Sequence, residues 1–157
     1  MEPLEVVGVR VEMPSNQPLV LLREVGGDRH LPIWIGAVEA TAIAFAQEGV
    51  EPPRPLTHDL LKDLLVALGR SVRQVRITDL VDGVFYAVID LGEGVEVSAR
   101  PSDAIALALR CDAPILGDEQ VLEAAGVPVA DDEEDEVKAF REFIENVSPE
   151  DFERGDG

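Results

Sequence analysis

The chain has 157 residues, 46% of them hydrophobic, enough for one domain with a real core, so wholesale disorder is excluded. Its 13 Lys and Arg face 32 Asp and Glu, a net charge of −19 that repels phosphate backbones and excludes a general DNA-binding surface, leaving room only for a local basic site. The excess is not a tail effect, because residues 129–157 hold 3 basic and 12 acidic residues while residues 1–128 hold 10 and 20.

From the N-terminus, Val7, Val9 and Val11 alternate with Gly8, Arg10 and Glu12, the period of a half-buried strand over 4–13. A second β run at 19–25 meets the turn Gly26-Gly27-Asp28 and returns as a third at 29–35, with Pro32 marking an edge or a bulge. Gly36 opens a helix over 37–48, closed by Gly49, whose alanines let a neighbouring backbone come close. A stiff proline connector follows at 51–55. Thr57 is read as the N-cap of a helix ending at Gly69, with Leu60, Leu61, Leu64, Leu65 and Leu68 as its buried stripe and Asp59, Lys62 and Asp63 on its wet side. Three runs, 71–80, 84–91 and 95–99, joined by Asp82-Gly83 and Gly92-Glu93-Gly94, predict an antiparallel meander. Pro101-Ser102-Asp103 begins a helix that is apolar nearly all round and therefore buried. A short extended piece at 114–116, a short helix at 118–125, six consecutive acids at 131–136 and an amphipathic helix at 137–147 complete the chain. The sum is an α+β domain at 1–128, an antiparallel or mixed sheet of hairpins and meander packed with three core helices, followed at 129–157 by an acidic linker and a C-terminal helix.

Several chemistries are absent from the pattern. There is no phosphate-binding loop of the Walker type and no nucleophile elbow. Two histidines, His30 and His58, and one cysteine, Cys111, do not make a zinc framework, and the lone cysteine forms no internal disulfide. No apolar run reaches the ~18 residues of a membrane span, and residues 1–10 show no secretory signal, so the expected setting is the cytoplasm. Trp34 sits in an apolar run and is expected in the core or an interface; with aromatics at 4%, a platform for stacking bases is poorly supported.

Two segments share a grammar: Arg54-Pro55-Leu56-Thr57-His58-Asp59 and Arg100-Pro101-Ser102-Asp103. Each sets an arginine and a proline before a helix, then a hydroxyl and an acid in its first turn. Capping and dipole compensation explain such residues without any function. The functional alternative is a phosphate site, with helix N–H groups and Arg54, Thr57, Arg100 and Ser102 on the substrate. Asp59 and Asp103, with Glu39 and Asp63, would then hold Mg²⁺ or Mn²⁺ through oxygen ligands. His58, at a helix start that favours its neutral form, would serve as general base beside Asp59 and Asp103. This reading requires that the two helix beginnings face one hollow.

Taken together, Leu31-Pro32-Ile33-Trp34-Ile35-Gly36 with Glu39-Ala40, the Arg54 to Asp59 segment, and Ser98-Ala99-Arg100-Pro101-Ser102-Asp103-Ala104-Ile105-Ala106-Leu107-Ala108 resemble the signature segments of the bifunctional nuclease domain family, over about residues 4–127. Asn146-Val147-Ser148-Pro149-Glu150-Asp151-Phe152 resembles the tail of its actinobacterial members. The resemblance implies an α+β fold, a homo-oligomeric, dimeric assembly, and hydrolysis of DNA and RNA phosphodiesters, with nucleic acid as substrate and no membrane partner. Against this stands a non-catalytic oligomeric module that binds an anionic ligand or a protein, in which the polar helix starts are caps and the apolar helices build the dimer core. A third reading is a regulator that docks a partner through its acidic linker and terminal helix.

Overall fold

The structure, a computed structural model, describes residues 1–128; the expected acidic linker and C-terminal helix lie outside the described residues. Three strands open the chain, β1 (Glu2–Glu12), β2 (Gln17–Glu24) and β3 (Arg29–Trp34), paired antiparallel in sequence order. Helices α1 (Ala37–Glu48) and α2 (Thr57–Ala67) follow, then the antiparallel meander β4 (Gln74–Val81), β5 (Val84–Asp90) and β6 (Glu96–Ala99). Helix α3 (Pro101–Cys111), β7 (Ile115–Gly117), α4 (Glu119–Ala125) and the two-residue β8 (Val127–Pro128) complete the described part.

All eight strands form one sheet in the order β6-β5-β4-β7-β1-β2-β3-β8. Short β7 joins the two meanders, running antiparallel to β1 and parallel to β4. The fold is therefore α+β with a mixed sheet, as the runs of strands imply. The Asp82-Gly83 turn has both residues at positive φ, 51° and 78°, which twists the β4–β5 hairpin in the sense its strands require. Pro32 pairs with Leu21 of β2, and among the described residues β8 pairs with Arg29 and His30 of β3 and nothing pairs with Pro32 on that edge.

The core is one cluster, with Val20, Leu22, Leu31, Ile43, Val75, Ile77 and Ile105 at its centre. Helix α3 is its axis: Ala104 to Ala108 are buried without exception, and the helix packs against α1, α2, β4 and β5. Small residues on both sides, Ala40 on α1 and Ala104 and Ala108 on α3, allow that close approach.

Helix α2 departs from expectation. Leu60, Leu61, Leu64 and Leu68 are exposed, only Leu65 reaches the core, and the one buried residue is His58. At ~100° per residue the helix is turned roughly a quarter revolution from the orientation its leucine stripe would choose. Polar pairing decides this: the turn carries His58 and Asp59 inward to partners on α3, so Asp59 is not on the wet side. Thr57 is also not the cap. Leu56 occupies the N-cap position, and the Asp59 carboxylate accepts its N–H at 3.0 Å.

Candidate active site

Three junctions in the chain converge on one cleft of about 380 Å³. The end of β3 and the start of α1 bring Trp34, Gly36 and Glu39. The end of β6 and the start of α3 bring Arg100, Pro101 and Ser102, and the β4–β5 hairpin brings Gly83 and Phe85. Two helix beginnings thus share a hollow, but they are those of α1 and α3 rather than α2 and α3.

Pro101 fits the first position of α3, where its missing N–H costs nothing. Ser102 is therefore the second helical residue, not the cap, and it is buried in the cleft wall. Ala104 N–H closes the first turn on Arg100 C=O at 3.0 Å, while the amides of the residues before it have no carbonyl within the helix to reach. The Arg100 side chain is 65% exposed yet held on two sides. Its Nε and Nη2 donate to Asp103 Oδ2 at 2.9 and 2.8 Å, and Nη1 lies 3.4 Å from Glu39 Oε1. These carboxylates raise the guanidinium's pKa further, through the Asp103 hydrogen bond first.

Behind Arg100, Asp103 Oδ1 meets His58 Nε2 at 2.9 Å. Burial alone would push the Asp103 carboxyl up, but hydrogen bonds from His58 and Arg100 outweigh it and hold the group below the usual carboxylate range. His58 is only 7% exposed and does not line the cleft. The link His58–Asp103–Arg100–Glu39 is therefore a fixed polar chain that ends at the cleft. In it, His58 and Asp103 position the arginine rather than face the hollow.

The remaining expected site residues go elsewhere. Arg54 and Thr57 are exposed and lie outside the cleft. Asp59 Oδ1 takes a hydrogen bond from Arg110 Nε at 2.7 Å. That partner, whose side chain is 8% exposed, escaped sequence reasoning because it ends a helix read as apolar nearly all round. Burial again opposes, and the Arg110 and Leu56 hydrogen bonds win, so the Asp59 pKa is lowered. Asp59, Asp63, Lys62 and Arg110 line a separate pocket of about 260 Å³.

The metal set is thereby divided. Among the described residues no three His, Cys, Asp or Glu side chains stand together to hold a metal. Asp59 and Asp63 belong to the second pocket, while Glu39 and Asp103 share the Arg100 guanidinium, whose charge opposes a cation. The four expected oxygen ligands for Mg²⁺ or Mn²⁺ are therefore not gathered in one place among the described residues.

A Cβ at Gly36 would stand 2.6 Å from Glu39 Oε1, so a larger residue there would require the Glu39 carboxylate to move. Trp34, expected in the core or an interface, is exposed in the cleft. The period of two in β3 carries the signal, since Leu31 and Ile33 are the buried positions.

Residues 20–130 match the family model described as the bifunctional nuclease domain. The chain belongs to this family. An uncharacterized protein of Mycobacterium tuberculosis (strain ATCC 25618 / H37Rv) is 55% identical over 97% of this chain and 98% of its own length. Bifunctional nuclease 1 of Oryza sativa subsp. japonica is 32% identical over 70% of this chain and 35% of its own length. Bifunctional nuclease 2 of Arabidopsis thaliana is 31% identical over 76% and 39%. The chain thus spans little more than a third of these plant relatives. Among the described residues no helix is long and apolar enough to cross a membrane.

Proposed function

We propose that the chain hydrolyses phosphodiester bonds of nucleic acid in the cleft between the starts of α1 and α3. The observation that carries this is the Arg100 guanidinium, held at the cleft by Asp103 and Glu39 while most of its surface stays open. An arginine fixed in this way presents donors to a phosphate without reorganising as charge builds on its oxygens. The free amides of the α3 start add to the same field. Glu39, also in the wall, is the carboxylate placed to take a proton from the attacking water. The water oxygen bonds to phosphorus, the bond to the leaving oxygen breaks, the water proton passes to Glu39, and the leaving oxygen is protonated from solvent. Membership of a nuclease domain family and the names of the plant relatives support the substrate class.

The test is cleavage of end-labelled single- and double-stranded DNA and RNA, in EDTA and in Mg²⁺ or Mn²⁺. Arg100→Ala and Glu39→Gln are each expected to lower the rate about 10²-fold or more in whichever arm is active. Wild-type rates in both variants, folded by circular dichroism, would transfer the activity to another site or to a contaminant.

A second reading, the non-catalytic oligomeric module, draws support from one observation: Leu60 and Leu64 of α2 and Leu68 at its C-cap lie in solvent, and nothing among the described residues covers them. A second copy of the chain is the occupant this reading assigns. Sedimentation should give twice the chain mass for the wild type and the single mass for Leu64→Glu; a monomeric wild type removes this support.

A further inference from the structure

Trp34 is the single tryptophan of the chain, yet it is 52% exposed at the end of β3. It does not sit on open surface. Its ring belongs to the wall of the cleft that holds Arg100 and Ser102, and Phe85 of the β4–β5 hairpin is in the same wall. At about 380 Å³ the cleft is of the size that takes a small ligand, roughly 300–1,000 Å³. It offers one exposed guanidinium, a half-exposed indole and a phenyl ring in the same lining. A ligand that satisfies both carries an anion and a flat apolar ring on one small unit, which describes a nucleotide.

We propose that Trp34 stacks the base of the nucleotide whose phosphate Arg100 holds, and that the substrate is therefore single-stranded. This rests on the phosphodiesterase reading of the cleft and names its substrate class. A base within a duplex has both faces covered by neighbours, whereas an unpaired base has a face free for an aromatic side chain. Stacking also suits a chain of net charge −19. It is a neutral attraction, tolerant of salt and of base identity, and it supplies affinity where the overall field opposes a long polyanion.

Because Trp34 is the single tryptophan, its emission reports on this one site. The full chain is titrated with an eight-residue thymidylate oligomer and with an abasic oligomer of equal charge, in EDTA, and affinities are read independently by displacement of a labelled oligomer. Saturable quenching by the thymidylate oligomer is expected, with none by the abasic one. The abasic oligomer, and Trp34→Ala with the thymidylate oligomer, should each bind about 5- to 100-fold more weakly, and Trp34→Phe should recover most of the loss. Equal affinity for the two oligomers, or an unchanged affinity in Trp34→Ala, overturns the proposal. So does an emission shift that depends on protein concentration alone, since a second copy would then cover the indole. The two readings fail separately. Cleavage that persists in Trp34→Ala with an unchanged KM leaves a nuclease without the stack, while saturable quenching without any cleavage leaves a base-binding cleft that is not a nuclease.

Discussion

Arginine, proline, a hydroxyl residue and an aspartate mark the start of α2, as Arg54 to Asp59, and the start of α3, as Arg100 to Asp103. Both aspartates take the third position of their helix, yet their partners differ. Asp59 turns back to the Leu56 N–H and inward to Arg110, which closes the α2 start upon itself. Asp103 instead holds Arg100 and is itself held by His58, so the α3 start presents a guanidinium to the cleft. Proline accounts for part of the difference. Pro101 is the first residue of α3 and sets Arg100 at its N-cap, whereas Pro55 stands a residue before the N-cap of α2 and leaves Arg54 out in solvent. The same residue types serve a site or a joint according to where the helix begins among them.

The comparison breaks most visibly if the two arginines are equivalent. Arg100→Ala is expected to cost about 10²-fold or more in cleavage rate, since it removes the guanidinium of the cleft. Arg54→Ala should change the rate less than about twofold, because Arg54 is exposed and has no ion pair among the described residues; it neither lines the cleft nor holds a group that does. Equal losses would mean that the α2 start reaches substrate after all.

Stability should show the reverse order. Asp59 balances an arginine whose side chain is 8% exposed, so Asp59→Asn is expected to lower unfolding free energy by about 1.5–3 kcal/mol in urea, the range for a hydrogen bond to a charged group. Cleavage by the folded fraction should persist. The pH dependence follows in sign from the lowered pKa of Asp59 and of Asp103. A carboxylate depressed by folding stabilises fully above its unfolded value, about 3.9, and that stability is lost as pH falls through the folded value. The urea midpoint should therefore drop on acidification below about pH 4, with a shallower drop in Asp59→Asn. A variant as acid-sensitive as the wild type would remove the Asp59–Arg110 pair from the account.

Local periodicity made most elements legible. Strand β1 and the Gly36 and Gly49 boundaries of α1 appear where the residues indicate, and the apolar α3 is buried, but the period of two in β1 does not hold, because the register shifts between Val6 and Gly8 and leaves Val11 exposed. What sequence could not reveal is set by groups far apart in the chain. Arg100, Glu39 and Ser102 were candidates and do share the cleft, but Trp34 and Phe85 join them only because the sheet brings β3 and the β4–β5 hairpin to the same helix starts. The leucine stripe of α2 misled for a related reason: a helix moment reports which face is apolar, not whether anything is there to receive it. Burying His58 and Asp59 against Asp103 and Arg110 prevailed over burying leucines.

The smallest effect concerns the hydroxyl that this grammar suggests is a cap. A true N-cap side chain satisfies an amide that would otherwise be unpaired, and its loss costs about 0.5–2 kcal/mol. Asp118 meets that description at the start of α4, where its Oδ1 accepts the Gln120 N–H at 3.2 Å. Thr57 does not: it is exposed, lies within the first turn of α2, and has no side-chain cap hydrogen bond, since the Asp59 carboxylate takes the Leu56 N–H. Asp118→Ala should therefore lose stability within the cap range, and Thr57→Ala should stay within about 0.5 kcal/mol of the wild type, the usual bound for a surface change. Thermal melts of the two variants side by side decide the matter. A Thr57→Ala loss as large as that of Asp118→Ala would mean that the hydroxyl, not the aspartate, closes the start of α2, and would free Asp59 to act elsewhere.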